Sequence, residues 1–181
     1  MEVEEKKFPS WMGSLIQNTI ADTQIGEKAS KKAMILAKSD LKEHFERGKD
    51  SKGNSWAPPV LRPGGKPLLD KGLLRASMSS GQSHYESSYS TPARVGFTIG
   101  SSLPYAAINN FGGVITPKKG PFLAVPLRPF QQKALGIKAK VLFIKQAIIP
   151  AREFAYLSAK AVDQIIAIYQ EAYQEGIEQR S

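Results

Sequence analysis

Few side chains in this chain have a type and spacing that could do chemistry. The chain has two histidines, His44 and His84, and no acidic pair at metal-ligand spacing accompanies either one. Cysteine is absent, which excludes disulfides, thiolate metal ligands and cysteine nucleophiles. There is no Gly-x-Ser-x-Gly nucleophile elbow, and the acidic residues are scattered. The sequence therefore predicts no enzyme, no catalytic residue, no metal and no cofactor, and His44 is interpreted as a surface or capping residue.

Two glycine-containing loops resemble ligand sites but lack what those sites need. Residues 50–54 resemble the start of a calcium loop, but the spacing and the missing terminal Glu do not fit, so we interpret them as a turn. Residues 64–67 contain a Gly-Lys step without the upstream glycine and the following Ser or Thr of a P-loop. We therefore expect neither calcium nor phosphate binding at these loops.

Length and charge set the class of protein and its partners. A chain of 181 residues is near the usual size of one domain, so we expect a single domain over 1–181. The net charge of +9 permits contact with nucleic acid or with acidic protein surfaces, and a solvated basic surface is the simplest interpretation. Residues 1–7 lack the apolar core of a signal peptide, and no run of apolar residues is long enough to span a membrane. The absence of cysteine fits a reducing compartment.

Residues 10–48 are predicted to form N-terminal helices. Ser10 is a plausible N-cap for a short helix that carries apolar residues up to Ile20. A second helix is indicated by apolar residues at steps of three and four, with charged residues on its other sides, and by Gly48 at its end. Those apolar residues are Met34, Ala37, Leu41 and Phe45.

Residues 49–67 change sharply to Gly, Pro, Ser, Asn and Lys around a single large residue, Trp56. Prolines fix φ and remove backbone donors, so this segment is predicted to be a long irregular loop. Trp56 is interpreted as an anchor that tucks the loop against the core, in preference to a ligand-stacking platform.

Residues 68–149 are predicted to form a mainly antiparallel sheet. Period-two patterns over 74–78, 85–89 and 95–99 favour a three-stranded meander, and 105–110 could form a short helix. Residues 114–115 and 122–125 are read as strands of a protruding hairpin whose tip, 116–121, is basic. Further strands are expected at 141–144 and 147–149.

Residues 150–178 are predicted to form a long C-terminal helix that begins after Pro150. One apolar stripe runs from Phe154 to Ala172, and a second, which contains Ile166 and Tyr169, lies about 100° around the helix. We hypothesise that the second stripe contacts a neighbouring subunit, and the alternative is that the N-terminal helices cover it. The fold class expected from all these elements is α+β.

Four segments together resemble the tailed-phage virion morphogenesis family, the Mu-like tail-completion and neck proteins. An acidic residue, a glycine and a Leu-Arg step occur within Leu69 to Met78, and a Tyr-Ala and Phe-Gly-Gly stretch lies within Pro104 to Gly113. The segment from Phe45 to Trp56 and the run Pro-Ala-Arg-x-Phe that begins at Pro150 are similar to the family's helix end and late element. Their order and spacing are more specific than any one motif.

The resemblance implies a structural virion protein of the phage neck or tail, assembled in the host cytoplasm. Its role would be tail completion or head-tail joining, and its partners would be itself, in a ring for which six-fold symmetry is one option, and neighbouring neck, tail tube or connector proteins. Contact with packaged DNA is a further option. A tail terminator ring that caps tail length and a basic nucleic-acid-binding module remain as alternatives.

The residues that carry the resemblance are interpreted mainly as fold-defining, with Arg75 able to bridge to a carboxylate such as Asp70. They are Trp56, Asp70, Gly72, Leu74, Arg75, Tyr105, Phe111, Gly112, Gly113, Pro150, Arg152 and Phe154. Partner contacts are expected in the less patterned loops and on the C-terminal helix, and the candidates are Arg62, Lys66, Lys118, Lys119, Ile166 and Tyr169.

Overall fold

The computed structural model describes residues 24–62, 64–79, 84–91 and 94–178, and these form an α+β structure, as the sequence predicts. The elements are α1 (Gln24–Arg47), α2 (Leu73–Ser77), β1 (His84–Thr91), β2 (Arg94–Ser101), α3 (Ala106–Phe111), β3 (Gly113–Ile115), β4 (Leu123–Pro126), α4 (Pro129–Leu135), β5 (Val141–Ile144), β6 (Ala147–Ile149) and α5 (Ala159–Glu178). None of the described helices is both long and apolar enough to cross a membrane. The short helix predicted over residues 10–20 lies outside the described residues.

The chain divides into two compact units. Of the described residues, unit 1 contains 24–40, 85–91, 94–100 and 157–178, and unit 2 contains 41–62, 64–79, 84 and 101–156. The division falls within α1. The single domain expected over 1–181 stays a prediction.

The predicted second helix is confirmed as α1. Ile25, Ala29, Ala33 and Ala37 are buried at a four-residue spacing, which places their side chains along one side of the helix. On the exposed side, Lys31 forms an ion pair of 2.6 Å with Glu27 one turn earlier. Helix α1 ends before Gly48, whose φ of 63° is the left-handed conformation that glycine adopts without strain.

Unit 1 is built from the first part of α1, the two-stranded sheet β1–β2 and helix α5. A buried cluster joins Ile25 and Ala29 of α1 to Ala172 of α5, and Val95, Ile168 and Tyr169 pack against it. These residues form the apolar core of unit 1.

Helix α5 begins at Ala159, nine residues later than the predicted start at Pro150. Ser158 is its N-cap, because the Ser158 hydroxyl accepts a hydrogen bond of 3.2 Å from the N–H of Ala161. Ser158 also donates its hydroxyl to Asp40 Oδ1 at 2.7 Å. The residues that precede the cap, Pro150 to Leu157, form neither helix nor strand, so the predicted helix was too long.

Unit 2 has an aromatic core that closes the long loop. Phe45 and Phe154 are almost fully buried with ring centroids 5.1 Å apart, and Trp56 packs edge-on against Phe45 at 5.9 Å. The indole N–H of Trp56 donates to the backbone oxygen of Glu153 at 3.1 Å. The interpretation of Trp56 as a loop anchor is therefore confirmed.

The predicted meander is only partly correct. Residues 73–77 form the helix α2 and not a first strand, so β1 and β2 pair alone. Gly72, with φ 72°, precedes α2, and its backbone oxygen accepts from the N–H of Ala76 at 2.9 Å. A run as short as Leu-Leu-Arg-Ala-Ser fits one turn of helix as well as a strand.

The strands from Gly113 to Ile149, which we call the ribbon segment, pair differently from the prediction. β3 pairs antiparallel with β6, and β4 pairs antiparallel with β5. The chain thus runs outward through β3 and β4 and returns through β5 and β6, and each outward strand pairs with a returning strand. β3 and β4 therefore do not form a hairpin with each other. Residues 116–122 join two outgoing strands, and the predicted basic hairpin tip at Lys118 and Lys119 is wrong.

Candidate functional site

A cavity of about 480 Å³ lies within unit 2. Its walls come from the long loop, α2, α3, α4 and the segment before α5, which bring together residues far apart in the chain. The lining residues are Pro59, Leu61, Arg62, Leu68, Asp70, Lys71, Gly72, Leu73, Leu74, Tyr105, Asn109, Arg128, Phe130, Gln131 and Arg152. The volume is in the range of small-ligand sites.

Asp70 holds two of the cavity's arginines in place. Arg62 Nη1 lies 3.2 Å from Asp70 Oδ1, and Arg128 Nη1 lies 3.2 Å from Asp70 Oδ2. Arg62 also donates to the backbone oxygens of Leu69 and Lys66. One carboxylate thus fixes Arg62 of the long loop and Arg128 beside α4 on the same wall.

The predicted bridge between Arg75 and Asp70 is wrong. Arg75 Nη1 instead lies 3.5 Å from Glu46 Oε1 at the end of α1. Since residues 73–77 are helical, Arg75 projects from a turn of helix and not from the start of a strand.

Arg152 is the most buried charged side chain of the cavity, with 8% of its surface exposed. Its Nε donates to Ala57 O at 2.9 Å, and its Nη2 donates to Pro58 O at 3.4 Å. Burial lowers the pKa of the Arg152 guanidinium below its ordinary value, yet arginine remains charged at neutral pH. Within the described chain no carboxylate pairs with it, so a cation with unused N–H donors lies at the cavity wall.

Helix α3 positions Arg152 and the residues that follow it. The backbone N–H of Arg152 donates to Asn109 O at 2.9 Å. The buried Asn110 side chain accepts from the N–H of Phe154 at 2.9 Å and from that of Ala155 at 3.0 Å. These three bonds fasten the segment before α5 to α3.

Five of the residues interpreted as fold-defining line this one cavity: Asp70, Gly72, Leu74, Tyr105 and Arg152. The structure brings them together although the sequence separates them by up to 82 positions, from 70 to 152. The interpretation of these residues as structural is therefore incomplete, because they also line a basic recess.

The other residues of the resemblance do not line the cavity. Trp56 and Phe154 are buried, whereas Phe111 is strongly exposed. Gly112 has φ 72°, and a Cβ at this position would lie 2.7 Å from the backbone nitrogen of Ala151. At Gly112 the backbone therefore has a positive φ and lies close to the chain at Ala151.

The predicted partner contacts are dispersed. Arg62 lines the cavity, Lys66 lies exposed in the long loop, and Lys118 and Lys119 are exposed between β3 and β4. On α5, Ile166 is half-buried, and the Tyr169 hydroxyl donates to Ser30 Oγ of α1 at 3.3 Å. For Tyr169 the geometry favours the alternative in which an N-terminal helix covers the side chain.

The ribbon segment has exposed apolar side chains directly opposite one another. Val114 in β3 faces Ile148 in β6, and these side chains are 55% and 71% exposed. In β4–β5 the exposed positions are also apolar, since Ala124 faces Phe143, which is 65% exposed, and Pro126 faces Val141. We call Val114–Ile148, Ala124–Phe143 and Pro126–Val141 the exposed ribbon pairs.

His44 is a core residue, so its predicted surface or capping role is wrong. It is 2% exposed and stacks on Tyr156, with ring centroids 3.7 Å apart and an angle of 6° between the rings. His44 Nδ1 lies 3.2 Å from the backbone oxygen of Phe154, which can only accept, so Nδ1 carries the proton. Over the described ranges, no group of three or more His, Asp or Glu could hold a metal ion.

The segment read as a turn, residues 50–54, is a turn. Asp50 Oδ1 accepts from the N–H of Lys52 at 3.0 Å and from that of Asn54 at 2.8 Å. The hydrogen bond from the Asn54 side chain, together with these backbone donors, lowers the pKa of the Asp50 carboxyl. The carboxylate thus serves the turn itself.

Sequence reasoning missed the cavity as a site, and it missed Lys71 and Arg128 as members. Arg128 lies two residues after the end of β4 and has no local pattern that links it to Asp70, 58 residues earlier. No protein-family model matches the chain, and neither a curated protein nor a solved structure matches it.

Proposed function

We propose that the chain is a structural virion protein of the phage neck or tail, which acts in tail completion or head-tail joining through ring assembly. The four sequence segments that resemble the virion morphogenesis family support this proposal. The observation that carries it furthest is the set of exposed ribbon pairs, because apolar surface of this kind favours protein-protein contact.

The physical argument rests on strand alternation. When one face of an antiparallel strand pair packs on the core, the other face is normally polar because it meets water. In β4–β5 the half-buried positions are Leu123, Val125, Leu142 and Ile144, and the exposed positions are apolar as well. Removing a side chain such as Phe143 from water contributes about 1.5–3 kcal/mol, so a partner on this face would be stabilising.

A second copy of the chain is the occupant that we propose for the exposed ribbon pairs. Copies with a net charge of +9 repel one another at long range, so contact between them favours surfaces that carry no charge. The exposed ribbon pairs contain only apolar side chains. The basic loops, with Lys66, Lys118 and Lys119, are left for acidic neighbouring proteins, where charge complementarity sets specificity.

The first test measures assembly and stability separately. In sedimentation velocity, the Phe143→Ser and Ile148→Ser variants should contain more monomer than the wild type, which should be oligomeric. The midpoint of thermal unfolding should change little, because both side chains are exposed. The matched control is Ile35→Ser in α1, where the side chain is 64% exposed but lies outside the ribbon segment. A wild-type protein that stays monomeric at every concentration, or variants that assemble like the wild type, would contradict the ring.

The second test addresses the role in the particle. Electron microscopy of particles made without this chain should show filled heads beside separate tails of normal length if the protein completes or joins tails. Overlong tails would instead indicate a terminator ring. Normal, infectious particles would overturn the proposed function altogether.

A further inference from the structure

We propose that the cavity of unit 2 binds a carboxylate side chain of an acidic peptide segment from a partner protein. This inference goes beyond the proposed function and rests on the cavity alone, so it holds whether or not the chain forms rings. Three properties of the cavity carry it: an excess of positive charge, a buried arginine with donors to spare, and apolar walls.

The charge of the lining is unbalanced. Four cationic side chains, Arg62, Lys71, Arg128 and Arg152, face one carboxylate, Asp70. Asp70 is already shared between Arg62 and Arg128 at 3.2 Å each. Lys71 and Arg152 have no carboxylate partner among the described residues, so an incoming anion would meet two cations that these residues do not neutralise.

Arg152 has donor groups that no residue in the described part of the chain accepts from. A guanidinium carries five N–H donors, and hydrogen bonds to Ala57 O and Pro58 O account for two of them. A charge that is 8% exposed is unfavourable unless it is paired or hydrogen-bonded. A carboxylate that accepts from the remaining donors would supply that pairing in a fixed planar geometry.

The walls identify the kind of molecule that carries the anion. Leucine and aromatic side chains lie beside the cations, contributed by Leu61, Leu68, Leu73, Tyr105 and Phe130. A recess of about 480 Å³ holds one or two side chains but does not admit a duplex, whose phosphates lie along a wide rod. A peptide with an acidic residue next to an apolar one suits this lining, because the carboxylate can contact the cations and the apolar side chain can contact the leucine and aromatic side chains.

The binding experiment uses defined probes. A fluorescein-labelled peptide, acetyl-Glu-Leu-Glu-Leu-Glu-amide, is compared with its Gln isostere and with a labelled DNA duplex in anisotropy titrations against the full chain. We expect the Glu peptide to bind at least tenfold more tightly than the Gln peptide, with affinity that falls as salt rises.

The variants locate binding in the cavity. Lys71→Gln should lower the affinity for the Glu peptide about threefold, a small effect because Lys71 is exposed. Arg152→Lys should lower this affinity about tenfold, because the buried planar donors of the guanidinium are lost. The control, Lys138→Gln, removes the same charge from an exposed position outside the lining and should change affinity less than Lys71→Gln does. Thermal unfolding of each variant checks that it is folded. If Arg152→Lys does not fold, the affinity of Lys71→Gln for the Glu peptide tests the inference.

Three results would overturn the inference. Equal binding of the Glu and Gln peptides, including no binding of either, would exclude carboxylate recognition. Equal effects of Lys71→Gln and Lys138→Gln would place binding outside the cavity. A DNA duplex that displaces the Glu peptide and loses affinity in Lys71→Gln would assign these cations to phosphate instead.

Discussion

Replacing Asn110 by alanine should destabilise the protein by about 3 kcal/mol. Its side-chain oxygen accepts from two backbone N–H groups, those of Phe154 and Ala155. Phe154 is almost fully buried, so its N–H cannot turn to water, and an unsatisfied buried donor costs about 1–3 kcal/mol. Ala155 is exposed and can be rehydrated, so losing its bond costs about 0.5–1.5 kcal/mol.

Urea denaturation followed by circular dichroism measures this loss, with Asn109→Ala as the matched control. Asn109 donates its side-chain amide to Tyr105 O at 2.8 Å, but this bond is exposed, so its removal should cost less than about 1 kcal/mol. The backbone oxygen of Asn109, which holds Arg152, is unchanged in that variant. Equal losses at the two positions would refute the reasoning that burial of the accepted N–H sets the magnitude.

Two further predictions concern a turn and a buried phenol. Gly112→Ala should lower the free energy of unfolding by at least about 1 kcal/mol more than Gly120→Ala, because both have φ above 70° but only the first places a Cβ against Ala151. Chemical denaturation of both variants measures the difference, and equal losses would contradict the close approach. Burial raises the pKa of Tyr169 above its ordinary value of 10.0, so the neutral phenol stabilises the fold below pH 10 and this contribution is lost as the pH rises through the folded pKa. Tyr169→Phe should therefore lose less stability than the wild type between pH 9 and pH 11, and parallel losses would contradict a buried phenol.

Sequence patterns predicted the elements that depend mainly on interactions between residues near one another in the chain. Helix α1 was predictable because its buried residues keep one helical face over many turns and because Gly48 ends it. Trp56 was predictable as an anchor because it is the single aromatic residue of a proline-rich loop. The burial of His44 had a usable signal as well, since it lies three residues after Leu41 and next to Phe45 on the same face.

The pairing of the strands and the meeting of the cavity residues could not be predicted, because both depend on residues that are far apart in the chain. The sequence does not tell that β3 pairs with β6 and not with β4, since either pairing places apolar residues opposite one another. Helix α2 was missed because one turn of helix is too short for its period to differ from a strand's. The cavity was missed because its cations, from Arg62 to Arg152, meet only after the long loop and the segment before α5 have packed.

The aromatic core of unit 2 also sets the order in which the chain can fold during synthesis. Phe45 and Trp56 leave the ribosome early, but their partner Phe154 is 109 residues after Phe45. At translation rates of about 5–20 residues per second, Phe45 waits roughly 5–20 s for that contact. Helix α1 can form before then. The aromatic core of unit 2, the cavity with Arg152 and the stack of His44 on Tyr156 cannot form until the segment before α5 has been synthesised. The early aromatic residues are therefore exposed to wrong contacts in the growing chain, and a pause in translation before residue 154 should lengthen that exposure.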